Sequence, residues 1–369
     1  MAVGGARRLP AWADYGLLPL LNLVVAFLIA GLVVLALGEN PLEASGYLVR
    51  GAFGSPEVLS WTLFYATNFV FTGLAVAIAF RAGLFNIGAE GQAYIGGLGL
   101  TLVCLYLGDL PFFVILPLAT VAAVAFGAVW GFIPGWLQAK RGSHIVITTI
   151  MFNFIAASIM TYLLVYVLIR PGSSSPETAT FAENAWMPQL WQLGAALGLD
   201  LPRAPLNLSF FWALICTLLF WLFLSRTRAG FELRVVGRND QAAVYAGISP
   251  ARWQMIAMAL SGALASFIAL NEVMGSHHRL LLNFTGGYGF VGIAVALMGR
   301  NHPVGILLAA LLFGALYQGG SELAFDMPAI TKDMVVVVQG LVILFAGALE
   351  HFFRPSLEAL FRRRRALPA

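Results

Sequence analysis

The chain reads as an all-α membrane protein of about ten transmembrane helices. Three observations predict this. Apolar runs of about 20 residues recur along its length, the length a helix needs to cross a hydrocarbon core. Hydrophobic residues make up 60% of the 369 and charged residues only 10%, with a mean hydropathy of +0.86. The basic residues gather at the ends of the apolar runs instead of forming a stripe suited to nucleic acid. The longest gap between runs, 171–206, is too short for an independent soluble core, so residues 1–369 are read as a single transmembrane domain.

Taken in order, the apolar runs place spans at 17–38, 59–80, 84–107, 112–138, 145–169, 207–225, 253–275, 287–299, 303–320 and 333–350. With the N-terminus inside, 16 of the 21 basic residues fall on the cytoplasmic side, among them Arg7, Arg8, Arg81, Arg238, Arg300, Arg354 and the run Arg362 to Arg365. The positive-inside rule therefore sets both termini in the cytoplasm. The run from Leu17 to Leu37 is longer than a signal-peptide core, so it is read as a retained first span. Cys104 and Cys216 fall inside spans and are read as free, buried thiols.

Several local patterns refine the spans. Residues Glu39 to Ser60 are either a short amphipathic element on the outer interface or a plain loop. Gly127, Gly131 and Gly135, at four-residue spacing, give span four a smooth face for a neighbouring helix. Thr149 and Asn153 share a face of span five, either for packing or for lining a path. Gly73, Ala75, Val76, Ala77 and Arg81 are echoed at identical spacing by Gly292, Ala294, Val295, Ala296 and Arg300, a weak internal repeat of the kind found in transporters. The external loop 171–206 is rich in Pro, Ser, Gly and Trp and suits docking of a partner. The internal loop 226–252 is polar and basic, with a short helix expected near Gln241 to Gly247.

The stretch that organises the rest is Phe80 to Gly99, FRAGLFNIGAEGQAYIGGLG. It sets Asn86, Glu90 and Gln92 among glycines in apolar sequence. An ionisable group at membrane depth costs roughly 2.5 to 3.5 kcal/mol on insertion scales, so it faces a bundle interior or a watery cavity. Glycines there permit close helix approach or a locally broken helix.

Some chemistries are absent. Lys140 precedes Arg141 and Lys332 precedes Asp333, so the sequence has no P-loop, and any ATP is hydrolysed by another chain. It has no GxSxG, HExxH or CxxC. Adjacent His277 and His278 point apart on a helix and make a poor metal site. Glu90 and Glu272 leave open a proton-coupled secondary carrier.

Four stretches together resemble one family. GLFNIGAEGQ, from Gly83 to Gln92, looks like the signature of permease subunits of bacterial ABC importers in the branched-chain amino acid and simple-sugar superfamily. IVITTIMFN (Ile145 to Asn153), GFELRVVGRNDQAAVYAGI (Gly230 to Ile248) and GFVGIAVALMGRNHPVG (Gly289 to Gly305) are similar to its nucleoside-uptake branch. The resemblance implies a pore subunit in the bacterial cytoplasmic membrane, without a cofactor of its own. It also implies a second permease subunit, cytoplasmic ATPase subunits carrying ATP and Mg²⁺, and an extracytoplasmic lipoprotein that captures the substrate. A simple-sugar permease is the alternative within the superfamily. Phe85, Asn86, Glu90, Gln92 and Asn153 are expected along the substrate path, with Asn86→Leu impairing transport more than folding. Gly237, Asn239, Ala242, Ala243 and Gly247 resemble the family's coupling motif, and Ala243 with Gly247 is expected to form the small face that docks on the ATPase.

Overall fold

The computed structural model describes Pro10, Ala13, residues 17–327 and, beyond them, 329–331, 334–337, 339–341, 344 and 355. The expected span 333–350 therefore lies largely outside the described residues, as do Arg7, Arg8, Arg354 and Arg362 to Arg365. Thirteen α-helices are present among the described residues. They are α1 (Leu18–Ala36), α2 (Pro41–Phe53), α3 (Pro56–Arg81), α4 (Ala89–Tyr106), α5 (Phe112–Arg141), α6 (Ile145–Tyr162), α7 (Leu190–Ala196), α8 (Ser209–Arg226), α9 (Arg228–Arg238), α10 (Asp240–Tyr245), α11 (Pro250–Ala265), α12 (Tyr288–Met298) and α13 (Pro303–Asp326). No strand is present among them, only two isolated bridges.

Among the described residues, six helices are long and apolar enough to cross a membrane: Pro56–Arg81, Phe112–Arg141, Ile145–Val167, Ser209–Arg226, Pro250–His277 and Pro303–Asp326. A seventh arises if α1 and α2, bent by 119° where they join, count as one broken span or re-entrant element. Two of the expected spans differ for a local reason. The run 84–107 becomes helical only at Ala89, because Ala82 to Gly88 turn away from helix, with Gly83 at φ +76°. The run 287–299 yields the 11-residue α12, which starts after Gly287 at φ +82°. At 1.5 Å per residue that is about 16 Å, half a hydrocarbon core.

The described residues form two compact units. One takes the described parts of Met1–Gly51 and Gly319–Ala369, and its core is Val34, Ala44, Leu323, Met327, Ile330 and Val335 with Tyr47 and Met334 against it.

The other unit is Ala52–Gln318, built around α3. Ser55 accepts from Val58 N at 3.3 Å and Pro56 follows it, a side-chain cap and a preset first turn that start this helix. Most of α3 is then buried against α8, α11 and α12. The glycine stripe of α5 lies on α11 as expected: side chains at Gly127 and Gly131 would strike the backbone carbonyls of Gly262 and Met258. The internal echo also meets itself, since Gly73 faces Val295 while Gly292 faces Thr72. Cys104 and Cys216 are buried and unpaired with each other.

Beyond α11 the chain runs as a π-helix, Leu270–His277, and ends on His278 in the left-handed region at φ 53°. The loop 171–206 folds over this end. Phe181 N donates to His278 O at 2.8 Å, Met187 N to Met274 O at 3.0 Å, and Gln189 Nε2 to Gly275 O at 3.1 Å. Trp186 stacks on His278 with ring centres 4.2 Å apart. Burial of the imidazole holds His278 below its ordinary proton affinity, so it stacks as the neutral ring near neutral pH.

Candidate functional site

Two polar centres sit inside the Ala52–Gln318 unit. The first is the break before α4. Asn86 is fully buried and donates to Gln92 Oε1 at 3.0 Å and to Ser261 Oγ at 2.8 Å, while its own oxygen accepts from Gly88 N at 2.7 Å. Ser261 passes the chain on to Ala75 O at 2.5 Å. Asn153 on α6 grips both sides of the break, donating to Ile87 O at 2.9 Å and accepting from Gly91 N at 2.9 Å. These bonds satisfy backbone groups that a broken helix strands in an apolar bundle.

Glu90 does the same for a second break. Its carboxylate accepts from Thr285 Oγ1 at 2.5 Å, Gly287 N at 3.0 Å and Gly289 N at 2.8 Å. It thus caps the start of the half-helix α12, where a negative charge suits the free N–H groups. Of the five residues expected along a path, Asn86, Glu90, Gln92 and Asn153 use their polar atoms on the protein itself. Phe85 alone keeps a substantially exposed ring, packed edge-on against Phe80 at 5.1 Å.

The hairpin of α9 and α10 abuts this break. A methyl group at Gly237 would collide with the Arg81 carbonyl and crowd Gly83 N, so these backbones touch only because the residue is glycine. Arg81 in turn donates to Asn301 O at 2.6 Å, tying the end of α3 to the turn before α13. Glu232 fastens α9 to α11, accepting from Trp253 Nε1 at 3.1 Å and from Arg228 at 2.8 Å. Arg228 and then the Trp253 bond hold its carboxyl below the usual range.

Asn239 caps α10 by accepting from Ala242 N at 3.0 Å. Ala243 is fully buried, and Gly247 lies past the helix end at φ +74°, where Ile248 N donates to Ala243 O at 2.9 Å. The expected shared small face of Ala243 and Gly247 is therefore corrected: α10 is only six residues long, and Gly247 is its stop. Every residue from Asp240 to Gly247 except Ala243 is exposed, Tyr245 at 94%.

The second polar centre was legible in the sequence only through Glu272, one of the two carboxylates left open for proton coupling. Glu272, nearly fully buried in the π-helix, accepts from Asn68 Nδ2 at 2.5 Å and lies 3.4 Å from His277 Nε2. Asn271 donates to Asn68 Oδ1 at 2.8 Å and to Phe64 O at 3.0 Å, and accepts from Asn207 Nδ2 at 3.0 Å and Ser209 Oγ at 2.7 Å. Around them stand aromatic rings: Tyr65 and Tyr317 at 4.6 Å, Tyr288 and Tyr317 at 5.7 Å, Phe69 and Tyr288 at 5.5 Å. A second signal lies in Asn68, a lone amide in an apolar run.

Among the described residues, a helical bundle with broken helices held by internal polar groups is an arrangement that recurs in transporters. The chain belongs to the family described as branched-chain amino acid transport system, permease component, which matches residues 58–347. It is 37% identical to a glucose ABC transporter permease of Haloferax volcanii, over 97% of this chain and 93% of the relative. It is 37% identical to a guanosine ABC transporter permease of Bacillus subtilis, over 90% and 93%. A nucleoside ABC transporter permease of Lactococcus lactis is 34% identical over 89% and 90%. No solved structure matches. The chain is thus a multi-pass ABC importer permease, a class of subunit that works with ATPase and substrate-binding partners.

Proposed function

We propose that this chain is the pore subunit of an importer that moves nucleosides across a bacterial cytoplasmic membrane, driven by ATP and Mg²⁺ on separate ATPase subunits. The observation that carries this reading is likeness over about nine tenths of the chain to two permeases named for guanosine and for nucleosides. The glucose permease of Haloferax volcanii supports the second reading, a simple-sugar importer. A proton-coupled carrier has lost its footing, because the family is one of ABC permeases and the Glu90 carboxylate is engaged by three donors.

In this mechanism the membrane arrangement has about ten crossings with both ends in the cytoplasm, and a second permease completes the pore. A loaded binding lipoprotein docks over 171–206. ATP turnover displaces α9 and α10, with Gly237, Asn239, Ala242, Ala243 and Gly247 shaping the hairpin and Val244 and Tyr245 meeting the ATPase. Contact of Gly237 with Arg81 and Gly83 carries the displacement to the break at 82–88. Phe85 faces the path, and Asn86, Glu90, Gln92 and Asn153 hold its wall in shape. Uptake of labelled uridine by cells expressing the transporter tests the substrate. Competition by unlabelled guanosine but not by glucose is expected, and competition by glucose alone would favour the sugar reading.

A further inference from the structure

The inner polar centre closes its broken helix with the neutral amides of Asn86, Gln92 and Asn153, helped by Glu90 at a helix start. The Glu272 centre is built differently. It keeps a carboxylate at bundle depth, where a charge costs several kcal/mol more than an amide. No helix N-terminus is capped by it. Its contacts are the Asn68 amide and, at 3.4 Å, the imidazole of His277, whose side chain is 35% exposed and so leads toward solvent.

The aromatic rings beside it are also unevenly buried. Phe69, Tyr288 and Phe313 are closed off, whereas Trp61, Tyr65 and Tyr317 retain partly exposed surface. Trp61, Tyr65 and Asn68 follow one another at four- and three-residue spacing on α3, so they share a face that leads from the outer end of the helix to Glu272. Trp61 and Tyr65 rings lie 6.0 Å apart and Tyr65 and Tyr317 4.6 Å apart, a continuous aromatic strip. Tyr317 is in turn 5.7 Å from Tyr288, and Asn68, three residues on from Tyr65, donates to Glu272, so the strip ends beside the carboxylate.

We propose that the strip of Trp61, Tyr65 and Tyr317 ending at Glu272 is a transit site for the cargo, and that it takes a neutral molecule bearing both a flat ring and hydroxyl donors. The rings receive the flat face by stacking. The carboxylate accepts from a hydroxyl that displaces His277, whose 3.4 Å contact is the longest that Glu272 makes among its measured partners. An anionic cargo meets the carboxylate unfavourably and an apolar one leaves its oxygens unpaired. The choice of a nucleoside as that molecule rests on the functional reading above.

The test separates the two claims by labelling. With Cys104 and Cys216 replaced by alanine, Tyr65→Cys is placed in the assembled transporter and reacted with a membrane-impermeant maleimide. Millimolar uridine is expected to slow labelling at least five-fold, with glucose having little effect. Protection by glucose and not uridine would overturn both the flat-ring requirement of the site and the nucleoside reading. Absence of protection by either, in a transporter that still imports one of them, would overturn the site. Glu272→Gln keeps the size of the side chain and an acceptor for Asn68, so it guards against misfolding as an explanation. It is expected to melt within a few degrees of the parent while uridine uptake falls at least ten-fold. Unchanged uptake in Glu272→Gln would contradict a role for the carboxylate.

Discussion

Replacing Asn86 by leucine takes the acceptor from Gly88 N and the donor from both Gln92 and Ser261, and leaves these groups inside the protein. Each unpaired buried group costs about 1 to 3 kcal/mol. Thermal melting in detergent should therefore show Asn86→Leu destabilised by several degrees, with transport falling in step with folded protein. The expectation that leucine spares the fold is thus revised, and transport lost at unchanged melting would restore it. His278 gives the pH counterpart. Its proton affinity is lowered in the fold by burial, so the unfolded chain binds the proton more readily. The stability it contributes is present above the ordinary histidine value of 6.5 and is lost as pH falls below it. Trp186 emission should shift on acidification from pH 8 to pH 5, and His278→Phe should abolish the shift.

At the scale of elements, the hairpin of α9 and α10 was legible as polar and helical, and its capping Asn239 was among the residues named. The direction of Ala243 was not legible. Small residues four apart suggest a shared face only if the helix reaches both, and α10 stops at Tyr245. Arginine at Ala243 consequently probes the inside of the hairpin, not its docking face. The informative change is Tyr245→Ala, on a ring almost wholly exposed. Insertion and melting should match the parent, while ATPase subunits should co-purify at least ten-fold less, as for an aromatic interface anchor worth about 1.4 kcal/mol or more. Undiminished co-purification would place the contact elsewhere. Gly237→Val makes a complementary prediction. It should leave Tyr245 presented and the ATPase bound, yet uncouple hydrolysis from uptake, because a branched side chain forces α9 away from Arg81 and Gly83. Coupled transport in that variant would show that displacement does not pass through this contact.

Across the whole molecule, apolar run length identified the long helices, and glycine density marked the break at 82–88. Run length alone could not show that Ala82 to Gly88 leave the helix or that 287–299 yields only the short α12, because hydropathy does not distinguish broken elements from whole ones. The partners of Glu272 stayed hidden for another reason. Asn68, Asn207 and Glu272 are more than 60 residues apart in sequence and meet only in the packed bundle, joined through Asn271. Tyr65, Tyr288 and Tyr317, scattered singly, look like ordinary interfacial tyrosines. The central claim, that this pore imports nucleosides on power supplied by another chain, is tested most directly in proteoliposomes holding the permeases and ATPase subunits, with the binding lipoprotein on the outside. Labelled uridine should accumulate when ATP and Mg²⁺ are enclosed within, and should continue to do so after a protonophore collapses the proton gradient. Accumulation driven by a proton gradient without ATP, or ATP-driven accumulation of glucose with none of uridine, would contradict it.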